Sequence, residues 1–183
     1  PFSALDSFLR WKMEREAVAV IREFGGTALL VSHNRDEVYR ISDRIAVYNN
    51  GRIDVLDNKA AVFAAPATYS AALLTGCKNL ADAVPGPGGL AHVADWGVDL
   101  AVPGGKAPEC IGIRSHDMAP AAAPGENVFP YEVAETIEDT FNYVLMVRPA
   151  GAGPSVSPLR WEMTKEKYAA LPGNHLVCLP KDK

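Results

Sequence analysis

The sequence is poor in several features that would each define a class of protein. No run of about 18 apolar residues occurs in its 183 residues, so it predicts no membrane-spanning helix. It has three widely spaced cysteines without a C-x-x-C pair and four scattered histidines, so we predict reduced thiols and neither disulfides nor a metal site. A net charge of −4 leaves no basic excess for a phosphate backbone, so nucleic acid is not an expected partner.

The first part of the chain alternates between helix and strand signals. Apolar residues recur at helical spacing from Ser7 to Phe24, and Gly25-Gly26 ends that pattern. The unbroken apolar run Thr27–Val31 is typical of a strand that is covered on both faces in a parallel sheet. A second helix is predicted from Arg35 to about Ser42. This order of elements predicts an α/β fold.

Local turn and cap signals mark the boundaries of these elements. Asn34 and Glu37, three residues apart, form a capping-box pattern at the start of the second helix. Asn50-Gly51 predicts a β-hairpin, because both residues tolerate a positive φ. The other predicted elements of this part are hairpin strands at Ile45–Tyr48 and Arg52–Leu56 and short helical runs around Val62 and Ala71.

Two polar positions are candidate functional residues. His33 directly follows the predicted strand and precedes a helix, and ligands of open α/β sheets lie beyond the carboxyl ends of the strands. An imidazole at that place can contact a phosphate group. The alternative is that His33 is a cap or an ordinary surface residue. Asp6, taken by itself, is most simply the N-cap of the first helix.

Three stretches together resemble a known family. SALD (residues 3–6), Ser-His (residues 32–33) and DRIAVYNNGRI (residues 43–53) resemble, in order and spacing, the C-terminal part of an ATP-binding-cassette (ABC) transporter ATPase. In that family the first stretch is the D-loop and the second is the switch-histidine loop. The resemblance implies that His33 is catalytic and contacts the γ-phosphate, while Ser3 and Asp6 face the nucleotide site of the other subunit in a homodimer. It also implies that the chain is a fragment that begins directly after the catalytic glutamate.

The phosphate-binding loop of such ATPases does not occur in these residues. The pattern G-x-x-x-x-G-K-[ST] is missing, because the only Gly-Lys pair, Gly105-Lys106, is followed by Ala107. No stretch resembles the LSGGQ signature. Phosphoryl transfer to water needs a phosphate cradle, a Mg²⁺ ligand and a group that orients the water. We therefore expect ATP and Mg²⁺ as cofactors of the parent protein, no cofactor in this chain, and no hydrolysis by this chain alone.

After a boundary placed near Thr75 to Cys77, the composition predicts β structure. Several runs have the β-rich composition and the length of strands, and a short helix is predicted at Lys165–Ala170. Such strands predict a small barrel, which avoids exposed edges. A structural or dimerising appendage and a ligand-binding barrel both remain open as its role. The predicted strands are Glu109–Ser115, Tyr131–Asp139, Tyr143–Pro149 and His175–Pro180.

Two stretches of this second half also resemble importer ATPases. IGIRSHDM (residues 111–118) resembles a strand of the OB-like, transport-associated barrel that follows many of them. LLTGCKNLADA (residues 73–83) resembles the start of the regulatory region in ATPases of molybdate and related oxyanion importers. Lys78 and Asn79 are therefore candidate oxyanion ligands, through an ammonium and an amide donor. The alternative is that they are ordinary linker residues.

The sequence thus predicts part of an α/β P-loop ATPase domain (residues 1–75) followed by an all-β barrel (residues 76–183). The predicted parent is the ATP-binding subunit of an ABC importer for molybdate or a related oxyanion. A sugar or polyamine importer is the nearer alternative, and a non-catalytic regulatory and dimerisation module is the other. By the resemblance, the parent is a cytoplasmic homodimer bound to permease subunits at the inner face of the membrane. We expect residues 1–75 to be partly rearranged, domain-swapped or supported by a second chain, because missing central strands leave apolar faces uncovered.

Overall fold

The computed structural model of the chain describes residues 6–180. These residues form two compact units, which divide between Thr75 and Gly76. No helix in the described range is both long and apolar enough to cross a membrane. The first unit contains, in chain order, α1 (Ser7–Phe24), α2 (Arg35–Ile41), β1 (Arg44–Asn49), β2 (Arg52–Asn58), α3 (Lys59–Ala64) and α4 (Tyr69–Leu74).

Helix α1 has the bounds that the sequence predicts, and both of its ends have a local cause. The Asp6 carboxylate accepts the backbone N–H groups of Phe8 and Leu9 at 3.0 and 2.9 Å. These two groups have no partner within the helix, so the cap satisfies them. At the other end, Gly25 has φ +64°, the left-handed conformation that glycine adopts without strain.

The predicted hairpin is also confirmed. Asn50 and Gly51 have φ of 48° and 80°, and Asn49 pairs with Arg52 across the turn. Positive φ at both turn residues matches the right-handed twist of two antiparallel strands. The hairpin carries the small apolar core of the first unit, in which Ile45 and Val47 of β1 are buried with Val62 of α3 and Ala71 of α4.

The predicted parallel strand at Thr27–Val31 is wrong for this structure. The segment has no regular secondary structure, and Leu29 and Val31 are 92% and 82% exposed. A strand of a parallel sheet needs neighbouring strands that take its backbone hydrogen bonds. Every strand pairing within residues 6–180 is antiparallel, and none of them includes this segment. On α1, Val20 and Phe24 are likewise 64% and 73% exposed, so much of the predicted apolar face is uncovered.

The second unit is rich in β structure, as predicted. Its largest sheet has the strand order β11-β10-β9-β12-β8 and curls as a half-barrel. The curl does not close among the described residues, since β11 and β8 are the sheet edges. The elements are β3 (Asn79–Asp82), β4 (Val84–Pro85), β5 (Ala91–Val93), β6 (Val98–Leu100), β7 (Cys110–Ile113), β8 (Ala119–Pro120), β9 (Val128–Glu138), β10 (Asn142–Pro149), β11 (Leu159–Thr164), α5 (Lys165–Ala169) and β12 (Leu176–Cys178).

Trp161 of β11 lies at the centre of the core of the second unit. Its side chain is 1% exposed, and its indole N–H donates to the Met118 carbonyl at 2.9 Å. The Tyr131 ring meets it edge-on at 5.6 Å between ring centroids, a geometry that suits the ring quadrupoles. Leu145 and Val147 of β10 are buried in the same core. The large side chains of three strands therefore hold the curled sheet together.

We predict that Val47→Ala and Val31→Ala differ sharply in their effect on stability. Val47 is 4% exposed, so its truncation leaves a cavity and lowers the free energy of unfolding by about 2 kcal/mol. Val31 is largely exposed, so the same substitution changes this free energy by less than about 0.5 kcal/mol. Urea unfolding of the two variants measures both values. A strand at Thr27–Val31 that is covered on both faces would instead make the two substitutions equally costly.

Candidate functional site

The candidate site is the turn of residues 32–34, which leads into α2. The Asn34 side-chain oxygen accepts the backbone N–H groups of Asp36 and Glu37 at 3.1 and 3.2 Å. This confirms the predicted helix start, because an N-cap side chain must satisfy donors that have no partner within the helix. The first turn also carries two acidic residues, which the positive end of the helix dipole favours.

The capping box differs from its usual form. In that form the carboxylate of Glu37 would accept the backbone N–H of Asn34 directly. Here the Ser32 hydroxyl lies between them: it accepts the Asn34 N–H at 3.0 Å and donates to Glu37 Oε2 at 2.7 Å. Glu37 is 4% exposed. Ser32, the serine of the Ser-His pair, therefore links the turn to the buried carboxylate of Glu37 through two hydrogen bonds.

His33 projects from this tied turn into solvent. Its side chain is exposed, and no hydrogen bond or ion pair of its ring is found within residues 6–180. The residue before it is bonded through its hydroxyl and the residue after it through its side-chain oxygen. The backbone on both sides of His33 is held by hydrogen bonds, while its side chain is exposed. This arrangement suits contact with a ligand, since either nitrogen can donate when it carries a proton.

An ion pair between a buried carboxylate and a partly exposed arginine joins α2 to α1. Arg40 of α2 donates to Glu14 Oε2 of α1 from Nη2 at 2.6 Å and from Nε at 2.8 Å. The Glu14 side chain is 3% exposed and the Arg40 side chain is 46% exposed, so Arg40 provides a partner for a buried carboxylate that would be costly to leave unpaired. The sequence analysis did not identify this pair, because its partners are far apart in the sequence. The ion pair fixes the helix that follows His33 against the helix that follows Asp6.

The structure does not join Asp6, the described one of the two predicted D-loop residues, to His33. Asp6 is exposed, and its carboxylate serves as the cap of α1. No hydrogen bond or ion pair between Asp6 and His33 is present in the described part of the chain. Ser3 lies outside the described residues. The dimer-interface role of these two residues stays a prediction from the resemblance.

Lys78 and Asn79 do not form a common site in this structure. Lys78 is exposed, whereas Asn79 is 4% exposed and its amide is bonded internally. Its oxygen accepts the backbone N–H of Arg160 at 2.7 Å, and its nitrogen donates to the Arg160 carbonyl at 2.9 Å and to Met118 sulfur at 3.6 Å. Both amide hydrogens are therefore in use. This geometry does not support Asn79 as an oxyanion donor.

The same stretch contributes to the interior of the second unit. β11 is an edge strand, and Asn79 satisfies the outward backbone groups of its residue 160. The Ser115 carbonyl accepts the next outward N–H, that of Glu162, at 2.9 Å. Cys77 is buried as well, and this burial raises the pKa of its thiol, which keeps it protonated and unreactive.

Comparison with known proteins gives relatives of one functional class. No protein-family model matches the chain. The chain is 34% identical to the spermidine/putrescine import ATP-binding protein of Nitratidesulfovibrio vulgaris, over 82% of this chain and 38% of that protein. It is 28% identical to the sulfate/thiosulfate import ATP-binding protein of Xanthomonas campestris, over 94% of this chain and 52% of that protein. A match of 38% identity to the Fe(3+) ions import ATP-binding protein of Haemophilus influenzae covers 36% of this chain and 19% of that protein.

These relatives are import ATP-binding proteins, which supports the resemblance to ATP-binding subunits of ABC importers. The chain spans between about a fifth and about half of their length. The three names give three different cargoes, and none of them is molybdate. The predicted molybdate specificity therefore has no support from these relatives.

We predict that Asn79→Ala and Lys78→Ala separate a structural role from a ligand-binding role. Asn79→Ala leaves two backbone groups of Arg160 without partners, so we expect the free energy of unfolding to fall by about 3 kcal/mol. Lys78→Ala alters an exposed side chain and should change it by less than about 0.5 kcal/mol. Thermal unfolding of both variants tests this. Equal, small effects would contradict the contact between Asn79 and the Arg160 backbone of β11. The Asn79 amide would then again be a candidate donor to an oxyanion.

Proposed function

We propose that this chain is part of the ATP-binding subunit of an ABC importer. The observation that carries the proposal is the 34% identity to an import ATP-binding protein over 152 residues, a length that exceeds either unit alone. The order of SALD, Ser-His and the hairpin in the first unit also supports it. The whole subunit would bind ATP with Mg²⁺, hydrolyse it, work as a homodimer and attach to permease subunits at the inner face of the cell membrane.

His33 is the proposed contact to the γ-phosphate. Its exposed ring on a tied turn can donate an N–H to a phosphate oxygen, where negative charge must be stabilised during transfer. Asp6 and Ser3 are proposed to face the nucleotide of the other subunit. The phosphate cradle and its lysine would come from polypeptide outside these 183 residues, since G-x-x-x-x-G-K-[ST] does not occur in them. This chain alone would then be inactive.

For the cargo we propose a polyamine in place of molybdate. Several relatives are named for spermidine/putrescine import, including those at 34%, 38% and 41% identity. The Asn79 amide is bonded to the Arg160 backbone and to Met118, which favours a cargo other than an oxyanion. Sulfate or thiosulfate is the second candidate, because the relative named for it matches 94% of the chain. Uptake of labelled spermidine and of labelled sulfate by cells that carry the intact importer distinguishes the two.

We predict that His33→Ala lowers ATP hydrolysis by the intact importer at least about 100-fold, because it removes a donor to the transferred phosphate. His116→Ala is the matched control: that histidine is also exposed but lies in the second unit, so it should change the rate less than about twofold. Phosphate release at saturating ATP measures both rates. If the intact protein bound no nucleotide at all, the alternative of a non-catalytic regulatory and dimerisation module would replace this proposal.

A further inference from the structure

Glu37 is a buried carboxylate whose position the helix alone does not require. It is 4% exposed, its Oε2 accepts the Ser32 hydroxyl, and its Oε1 has no hydrogen-bond partner among the described residues. Burying a carboxylate costs free energy unless hydrogen bonds replace the lost water. An exposed acid in the same turn, such as Asp36, satisfies the helix dipole without that cost. The buried position of Glu37 therefore needs another explanation.

We propose that Glu37 and Ser32 are positioning residues, which orient His33 by fixing the turn around it. This inference rests on the proposed function, because it assigns to His33 the contact with phosphate. The hydroxyl of Ser32 has one hydrogen, and it is donated to Glu37 at 2.7 Å. An O–H···O⁻ bond is short and strong, so it holds the hydroxyl in one rotational state. In that state an oxygen lone pair faces the Asn34 N–H at 3.0 Å.

The bond from Asn34 N–H to Ser32 Oγ spans His33 and closes a small ring around its backbone. This hydrogen-bonded ring limits the backbone dihedral angles of His33. The imidazole of His33 therefore leaves the turn in a narrow range of directions. Without the Glu37 acceptor, the hydroxyl of Ser32 can rotate and donate its hydrogen to another acceptor. The hydrogen bond from Asn34 N–H to Ser32 is then weaker, and the backbone of His33 is less restricted. Precise placement of a group that contacts a reacting phosphate affects the rate of transfer strongly.

The test uses the intact ATP-binding subunit with its importer and compares paired variants. We call the two hydrogen bonds from Asn34 N–H to Ser32 and from Ser32 to Glu37 the relay. Ser32→Ala and Glu37→Leu each remove one partner of the relay, and we expect each to lower the rate of ATP hydrolysis about tenfold. Ser32→Thr keeps the hydroxyl and Glu37→Gln keeps an acceptor oxygen, so both should stay within about threefold of the parent rate. Asp36→Asn is the control, since it removes a charge from the same turn without touching the relay.

A second set of variants separates positioning from folding. When His33→Ala is already present, adding Glu37→Leu should cause no further loss of rate, because the relay acts only through His33. In the 183-residue chain, amide hydrogen exchange of Asn34 measured by NMR should be faster in Glu37→Leu than in Asp36→Asn. A further tenfold loss in the His33→Ala background would show a general structural defect and overturn the inference.

The same measurements distinguish failure of this inference from failure of the proposed function. Parent-like hydrolysis by His33→Ala would overturn the proposed phosphate contact and the inference with it. A large loss in His33→Ala together with parent-like rates in Ser32→Ala and Glu37→Leu would overturn the positioning role alone.

Discussion

Backbone N–H and C=O groups need partners, and this constraint governs which apolar segments of the chain form strands. In the second unit the edge strand β11 keeps its conformation because the Asn79 amide and the Ser115 carbonyl take its outward groups. In the first unit the segment Thr27–Val31 is more apolar than β11, yet no described strand pairs with it. The more apolar of the two segments is thus the one without strand structure, because it lacks backbone partners.

Features that depend on neighbouring residues were predicted well from the sequence. The cap by Asp6, the stop at Gly25 and the turn at Asn50-Gly51 each arise within a few residues, so their chemistry is readable along the chain. The strand at Thr27–Val31 was predicted wrongly because burial on two faces depends on distant partners. β11 was not predicted, although its alternation of buried Leu159, Trp161 and Met163 with more exposed residues is the expected signal for a half-buried strand.

The candidate site was only partly predictable. The position of His33 at the start of a helix follows from the sequence, and its proposed role comes from the resemblance. The link between Ser32 and Glu37 did not follow, because a capping-box pattern does not show that a hydroxyl lies between the two groups it joins. For Asn79, the residue type suggested an amide donor for a ligand. Only the packing of β11 shows that the donor is already engaged.

The uncovered segment Thr27–Val31 has a consequence for how the chain behaves in concentrated solution. It combines strong hydrophobicity with no charge and no proline over five residues, and Leu29 and Val31 are exposed. Segments of this kind pair with identical segments of other copies and seed cross-β aggregates. The nearest charged residues are Glu23 and Arg35, too far along the chain to act as gatekeepers. This segment is therefore one place where the 183-residue chain is expected to self-associate.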